Sequence, residues 1–318
     1  MSIPLTANLT SANILIVGAG PAGIAAALTL ARQQRSSVLF GDGVYRNGRA
    51  EQHQHGHSAH GAPSNFSQAA RNNILANYDQ FVTFYDTTVT RVDRLASGFV
   101  ATDIHGIQYH GRKLILASGV EDIPLPIDGY TACFGRVIFH CLLCQGYDQR
   151  GGATAGVLAM DAFARVAVAL HVARQAASLV TQAVTVYTNG DTRLADEVRQ
   201  GVGDSPVFFA DSRVIRRFVF LGDQDQAHGG GIRIEFVDGS VADESFLAHA
   251  PETRPRGNFI EQLSLATTVH GDIYVELPHY RTSVPDVFAA GDNCARMKSV
   301  AHAMLSGNVA GMGAAQDP

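Results

Sequence analysis

The run ILIVGAGPAGIAAALTLARQ, residues 14–33, limits the fold more than any other part of the sequence. Ile14 to Val17 form a short apolar stretch that stops at glycine, as a strand buried on both faces does. From Ile24 onward the residues are small or aliphatic and have helical composition. Gly18, Gly20 and Gly23 lie between, which gives the order strand, glycine turn, helix. At that spacing Gly18 permits the tight turn, Gly20 lets the backbone approach a pyrophosphate, and Gly23 lets the helix pack on the strand. The helix N-terminus then offers N–H groups and a positive dipole end to phosphates. Pro21 and Ala22 favour the flavin version of this turn.

The strand after that helix, SVLFGDG, should end in a carboxylate for an adenosine ribose. Asp42 arrives there, one residue after Gly41, the place where the acid is first sought. Two further segments complete the pattern. RKLILASG (112–119) reads as a strand ending in the small residues Ala117, Ser118 and Gly119. VPDVFAAGDNCA (284–295) reads as a buried strand ending at Gly291 and Asp292, and SVAHAMLSGNVAGMGAA (299–315) as a helix beyond it. Asp292 could bond a ribityl chain, and the dipole of that helix could stabilise negative charge on a flavin ring.

A length of 318 residues suits two domains better than one core. With 46% hydrophobic and 17% charged residues the chain can bury a sizeable interior. A net charge of −5 gives no broad attraction to nucleic acid or an anionic membrane. No apolar run approaches the roughly 20 residues that span a bilayer. MSIPLTANLTSANILIVGAG has no basic region ahead of its apolar run, so no signal peptide is expected and the expected location is cytoplasmic. Four cysteines suit a pair that cycles rather than a disulfide scaffold.

Cys141 and Cys144 stand in FHCLLCQGYD (139–148) as a CxxC. Such a pair is a redox couple, half of a zinc site, or two buried side chains. Zinc needs a second ligand pair, and Cys133 and Cys294 are single and distant.

GAGPAG, LASG, CLLC and VFAAGD occur in the order seen in low-molecular-weight, bacterial-type thioredoxin reductases, which this chain resembles over nearly its whole length. The resemblance implies an α/β fold of two Rossmann-like dinucleotide-binding domains, the second inserted in the first. The FAD-binding domain would comprise residues 1–119 and 249–318, and residues 120–248 the inserted domain that carries the CxxC. It implies FAD contacts at Gly18, Gly20, Pro21, Ala22, Gly23 and Asp42, then at Arg46, Asn47 and Val89. Further contacts would come from Ala117, Ser118, Gly119 and Asp292, and from Ser299, Val300 and Ala301. A homodimer is usual for that family. In it Cys144 would lie nearer the flavin and Cys141 would exchange with substrate sulfur.

The inserted domain should open with a second glycine turn for NADPH. TAGVLAMDAFARVAVALHVARQ (154–175) instead places DAFAR between its strand and its helix. A Cβ on every residue there blocks close backbone approach, and Asp161 would repel a phosphate. After the next strand, AVTVYTNGD (183–191), the arginine-rich segment for a 2′-phosphate shrinks to Arg193. With YRNG (45–48) and FHC..C.GY, the chain therefore resembles dithiol oxidases that close disulfides in gliotoxin- and holomycin-type natural products. That group implies a small-molecule dithiol substrate, electron flow through the cysteine pair to FAD, and O2 as acceptor giving H2O2. The rival readings are an NAD(P)H-dependent disulfide reductase and a catalytically altered flavoprotein.

Gln145 and Asp148 depart from that group, where an ionisable residue, often His, and Glu are expected. His302 is the candidate acid/base, because imidazole titrates in the useful range. His53, His55, His57 and His60 lie in EQHQHGHSAHG (51–61), with Glu51 as the nearby carboxylate, and form a second candidate set. His140 is expected on a strand, facing away from the cysteines.

Overall fold

The computed structural model describes residues 10–46, 63–222 and 230–316. Asn47 and the whole histidine cluster lie outside the described residues. The first strands are β1 (Thr10–Val17), β2 (Ser37–Gly41), β3 (Val82–Asp86), β4 (Val89–Leu95), β5 (Gly98–Asp103), β6 (Gln108–Leu116) and β7 (Val120–Asp122). Then come β8 (Ile138–Phe139), β9 (Gly152–Leu158), β10 (Val180–Tyr187), β11 (Phe208–Asp211), β12 (Ile215–Phe220), β13 (Ile232–Phe236), β14 (Val241–Glu244) and β15 (Phe246–Ala248). β16 (Thr253–Pro255) and β17 (Val287–Ala289) complete the strands. The chain divides into two compact units, and the second, from Asp122 to Glu252, interrupts the first in sequence.

The sheet of the first unit runs β3-β2-β1-β6-β5-β4. β1 pairs in parallel with β2 and β6, and β2 with β3. β17 joins β6 in parallel through Leu114, Ile115 and Leu116, while β5 pairs antiparallel with the earlier part of β6. Ile14, Leu15 and Ile16 are fully buried, as an apolar strand covered on both faces must be. The glycine turn follows at the carboxyl end of β1, where open α/β sheets bind ligands. The helix Pro21–Arg32 packs on the helix Val300–Ala315. Their approach is so close that a Cβ on Gly307 would fall 2.0 Å from the Ala22 carbonyl oxygen.

The second unit contains a parallel sheet, β11-β10-β9-β15-β8, and an antiparallel sheet, β12-β13-β14. Val184, Val186 and Val157 bury one face of its parallel sheet against Ala169 and Ala173 of the helix Val166–Ala177. Two strands are shorter than their sequence suggests. β9 stops at Leu158 rather than Met160, although the Ala159 N–H still bonds the Tyr187 carbonyl at 2.8 Å. β17 keeps only three residues of its apolar run, because Val284 closes a turn by accepting the Val287 N–H at 3.2 Å.

Candidate cofactor turn and redox pair

Gly18 has φ +112°, and a Cβ there would lie 2.2 Å from the Ala117 carbonyl oxygen. A Cβ on Gly23 would lie 1.8 Å from the Gly18 carbonyl oxygen. Around Gly20, by contrast, a Cβ would meet no protein atom within 4 Å. Two of the glycines are therefore needed by the turn itself, and the third leaves an open face. Gly20 is also the N-cap of the helix beginning at Pro21, with no side chain bonded to the cap. First-turn N–H groups of a helix need partners, and an anion supplies them. Nearby in the fold, Ser118 Oγ and Asn293 Oδ1 are buried without a protein partner, while Asn293 Nδ2 donates to the Leu116 carbonyl at 3.0 Å. Buried polar atoms left unbonded are costly unless a ligand or water bonds them. The open face at Gly20 and the unbonded buried polar atoms fit the pyrophosphate and polar groups of FAD.

Position 41 cannot carry the expected acid. A Cβ there would stand 2.4 Å from the Ala19 Cβ, so the carboxylate is displaced to Asp42. Asp42 Oδ2 accepts from Arg256 Nη2 at 2.9 Å, and its Oδ1 accepts the Val44 N–H at 3.0 Å. Arg46 Nη1 lies 3.7 Å from Asp292 Oδ2, just past β17. Val89 is buried at the start of β4, and Gly119 has φ +69°. Ser299 caps the helix Val300–Ala315 by accepting the His302 N–H at 3.2 Å. Val300 and Ala301 open that helix on its exposed side. His302 is half-buried, its ring edge-on to Tyr280 at 6.5 Å.

Cys141 and Cys144 form a disulfide with their Cα atoms 5.3 Å apart. Cys141 is the N-cap of the short helix Leu142–Gln145, and its Sγ accepts the Cys144 N–H at 3.1 Å. That donor favours a thiolate on Cys141 once the disulfide opens. The expected placement of His140 on a strand is wrong. β8 ends at Phe139, because its partner β15 stops at Ala248 and Cys141 already caps the helix Leu142–Gln145. The side-chain alternation used to point His140 away from the sulfurs therefore does not apply. Gln145 is 3% exposed and its Oε1 has no partner, so it is an interior side chain. Cys133 and Cys294 are free, and burial pushes their thiols up to about 11 and about 12. Neither is a thiolate near neutral pH.

The turn after β9 contains no glycine, and Asp161 itself takes φ +48° to open a 3₁₀ turn, Asp161–Phe163. Its Oδ2 accepts the Glu252 N–H at 3.4 Å and lies 3.6 Å from His249 Nε2. His249 is fully buried, and burial holds its pKa down to about 4. The ring is thus neutral near pH 7. Tyr130 OH lies 2.6 Å from His249 Nδ1 and shares a hydrogen bond with it, while His249 Nε2 has no hydrogen-bond partner among the described residues. Sequence reading missed this chain of three. Its only local signal was a histidine directly after the apolar strand FLA. In the following turn, Asp191 caps the helix Thr192–Val202 through the Leu194 N–H at 2.9 Å. Arg193 pairs with Glu197 on the surface of that helix. Among the described residues, no group of three or more His, Cys, Asp or Glu could hold a metal ion, and no helix is long and apolar enough to cross a membrane.

A strand–glycine turn–helix in one unit and a closed CxxC in the other are the two parts of a dinucleotide-dependent disulfide enzyme. The chain belongs to the pyridine nucleotide-disulphide oxidoreductases, whose family model matches residues 12–199. It is therefore an oxidoreductase, and the thioredoxin reductase-like flavoproteins of this family bind FAD. It is 41% identical over 308 residues to the thioredoxin reductase tcpT of Claviceps purpurea, covering 96% of this chain and 93% of that one. To the thioredoxin reductase aclD of Aspergillus oryzae it is 37% identical over 301 residues, 94% of each chain. The solved oxidoreductase of Agrobacterium tumefaciens shares its fold with a TM-score of 0.78, at 26% identity over 96% of this chain and 97% of that one.

Proposed function

We propose that this protein is an FAD-dependent dithiol oxidase, closing a disulfide in a small natural-product dithiol and delivering the electrons to O2 as H2O2. The observation that carries this reading is Asp161. It puts a carboxylate, and no glycine, at the turn where a pyridine nucleotide would need open backbone N–H groups. Electrons then enter from a dithiol.

In this reading the turn Gly18–Gly23 holds the pyrophosphate, with Pro21 and Ala22 in its first helical turn, and Asp42 takes the adenosine ribose. Arg46, Val89, Ala117, Ser118 and Gly119 line the same cofactor. Asp292 and the helix start at Ser299, Val300 and Ala301 serve the flavin end. When bound, FAD supplies a two-electron acceptor that O2 can reoxidise, giving one H2O2 per disulfide formed.

The chain's own residues perform the exchange. One substrate thiolate attacks Cys141 Sγ, the Cys141–Cys144 bond breaks, and Cys144 leaves as a thiolate. The second substrate thiolate attacks the substrate sulfur of the mixed disulfide. Cys141 then leaves as a thiolate, held by the Cys144 N–H. The product is a disulfide, and the protein pair now carries its two electrons. The two protons of the substrate thiols end with the two electrons on O2 as H2O2; Gln145 cannot carry a proton, and His302 is the candidate carrier.

In anaerobic stopped flow, dithiothreitol should bleach the flavin band and micromolar NADPH should not. In air, peroxide and disulfide should appear in equal amounts. Rapid bleaching by NADPH would instead support the reductase reading that the relatives' names suggest. His302→Ala should slow bleaching by dithiothreitol about tenfold or more, within the usual range of acid–base help, while leaving the flavin-to-protein ratio unchanged. An unchanged rate and pH profile in that variant would move the proton transfer to another group.

A further inference from the structure

Both carboxylates assigned above to the cofactor are already paired with arginines inside the first unit, Asp292 with Arg46 and Asp42 with Arg256. The second pair is part of a larger construction. Arg256 Nη2 donates to Asp42 Oδ2 at 2.9 Å across 214 residues of sequence, and Nη1 donates to the Val44 carbonyl at 3.1 Å. Its backbone N–H donates to the Gly119 carbonyl at 3.0 Å, and its Nε lies 4.0 Å from Glu121 Oε1. One residue thus ties the turn after β2 to the turn after β6. Thr88 Oγ1 adds a long contact to Asp42 Oδ2 at 3.5 Å. The Asp42 and Arg256 side chains are 23% and 28% exposed, so the pair is partly shielded rather than buried.

Two physical problems make such a clasp useful. Gly41 cannot bear a side chain against Ala19, so the acid falls one residue late, past the end of β2 at Gly41. Beyond the strand no ladder hydrogen bonds fix the residue, so an external hold is needed to orient its carboxylate. A carboxylate beside a pyrophosphate also repels it unless a cation compensates. An arginine fork solves both, because it fixes orientation as well as charge.

We propose that Arg256 is the positioning residue for the adenosine end of FAD, holding Asp42 for the ribose and compensating its charge beside the pyrophosphate. The proposal rests on the reading that FAD occupies the turn Gly18–Gly23.

The test uses the full chain, purified with its flavin, stripped, and titrated with FAD and separately with ADP, which carries only the adenosine end. Wild type, Arg256→Ala, Arg256→Lys, Asp42→Asn and Arg254→Ala are compared, with melting curves of each apoprotein. Arg256→Ala should raise the Kd of FAD about tenfold, the loss expected for one charge-assisted contact, and raise that of ADP by the same factor. Arg256→Lys should fall between the two, since it keeps charge but not the fork. The double variant Asp42→Asn/Arg256→Ala should lose no more than the worse single variant, as partners acting as a unit do. Arg254→Ala removes an exposed neighbouring pair with Glu121 and should leave both constants unchanged.

An Arg256→Ala apoprotein that melts like wild type and binds FAD as tightly would overturn the inference. So would weakened FAD with unchanged ADP, because the defect would then lie elsewhere. If Arg256→Ala does not fold, Arg256→Lys decides by the same comparison. A wild-type chain that takes up no FAD would overturn the cofactor reading and this inference with it.

Discussion

Serine at either Cys141 or Cys144 should reduce dithiol oxidation on the order of 10³-fold or more, as removal of a nucleophile generally does. The two sulfurs are already bonded to each other, and no other described cysteine can substitute. Cys133 is free but fully buried, and burial holds it as a thiol, so Cys133→Ala should leave turnover unchanged. The two variants should fail at different steps. Without Cys144, Cys141 can still join a sulfur from a symmetrical disulfide such as glutathione disulfide. Nothing then displaces it internally, and a mixed disulfide should accumulate as a mass increase. Without Cys141, the remaining sulfur has lost the capping position that accepts the residue 144 N–H, and exchange should be slower. Oxygen consumption with dithiothreitol and intact-protein mass report both effects. A thiol count supplies the baseline. Denatured oxidised wild type should titrate two thiols, Cys133 and Cys294, and the reduced protein all four cysteines. Undiminished oxygen consumption in both serine variants would make the disulfide structural and remove the oxidase reading.

The parts of this molecule that could be read from sequence are those whose cause is local. Ile14 to Gly23 specify strand, turn and helix through neighbouring residues alone, and a CxxC brings two sulfurs together within one helical turn. The glycine-free turn at Asp161 was equally legible, since it needed only a count of Cβ atoms. What escaped was set by contacts between distant segments. Asp42 and Arg256 meet across 214 residues, and nothing near Arg256 marks it. His249 is held neutral by burial, with Tyr130 and Phe163 packed against its ring from distant segments. Gly41 looked like a missing acid and is a packing requirement, visible only when Ala19 is placed 2.4 Å from where its Cβ would be. The position of His140 failed for a related reason. Alternation was assumed along a strand that tertiary geometry ends one residue earlier.

Valine at Gly20 and valine at Gly23 should both give colourless protein, for opposite reasons that calorimetry of the apo forms separates. Gly20 has φ −74° and ψ −177°, an extended conformation that valine adopts readily. Its Cβ would meet no protein atom within 4 Å. Gly20→Val should therefore fold, and its apoprotein should melt close to wild-type apoprotein. The added side chain would occupy only space that a pyrophosphate needs, so FAD uptake should fall on the order of 100-fold or more, about 2.7 kcal/mol. Gly23 offers no such room. A Cβ 1.8 Å from the Gly18 carbonyl oxygen must push the helix Pro21–Arg32 off β1 or open the turn. Overpacking against backbone costs about 3 kcal/mol or more, and the apoprotein itself should melt lower. Apo forms are compared because bound FAD would raise the melting temperature of any variant that retained it. A yellow Gly20→Val protein with a normal flavin ratio would place the pyrophosphate away from this turn. A Gly23→Val apoprotein as stable as wild type would show that the helix Pro21–Arg32 can shift without cost, contrary to its close packing against Gly307.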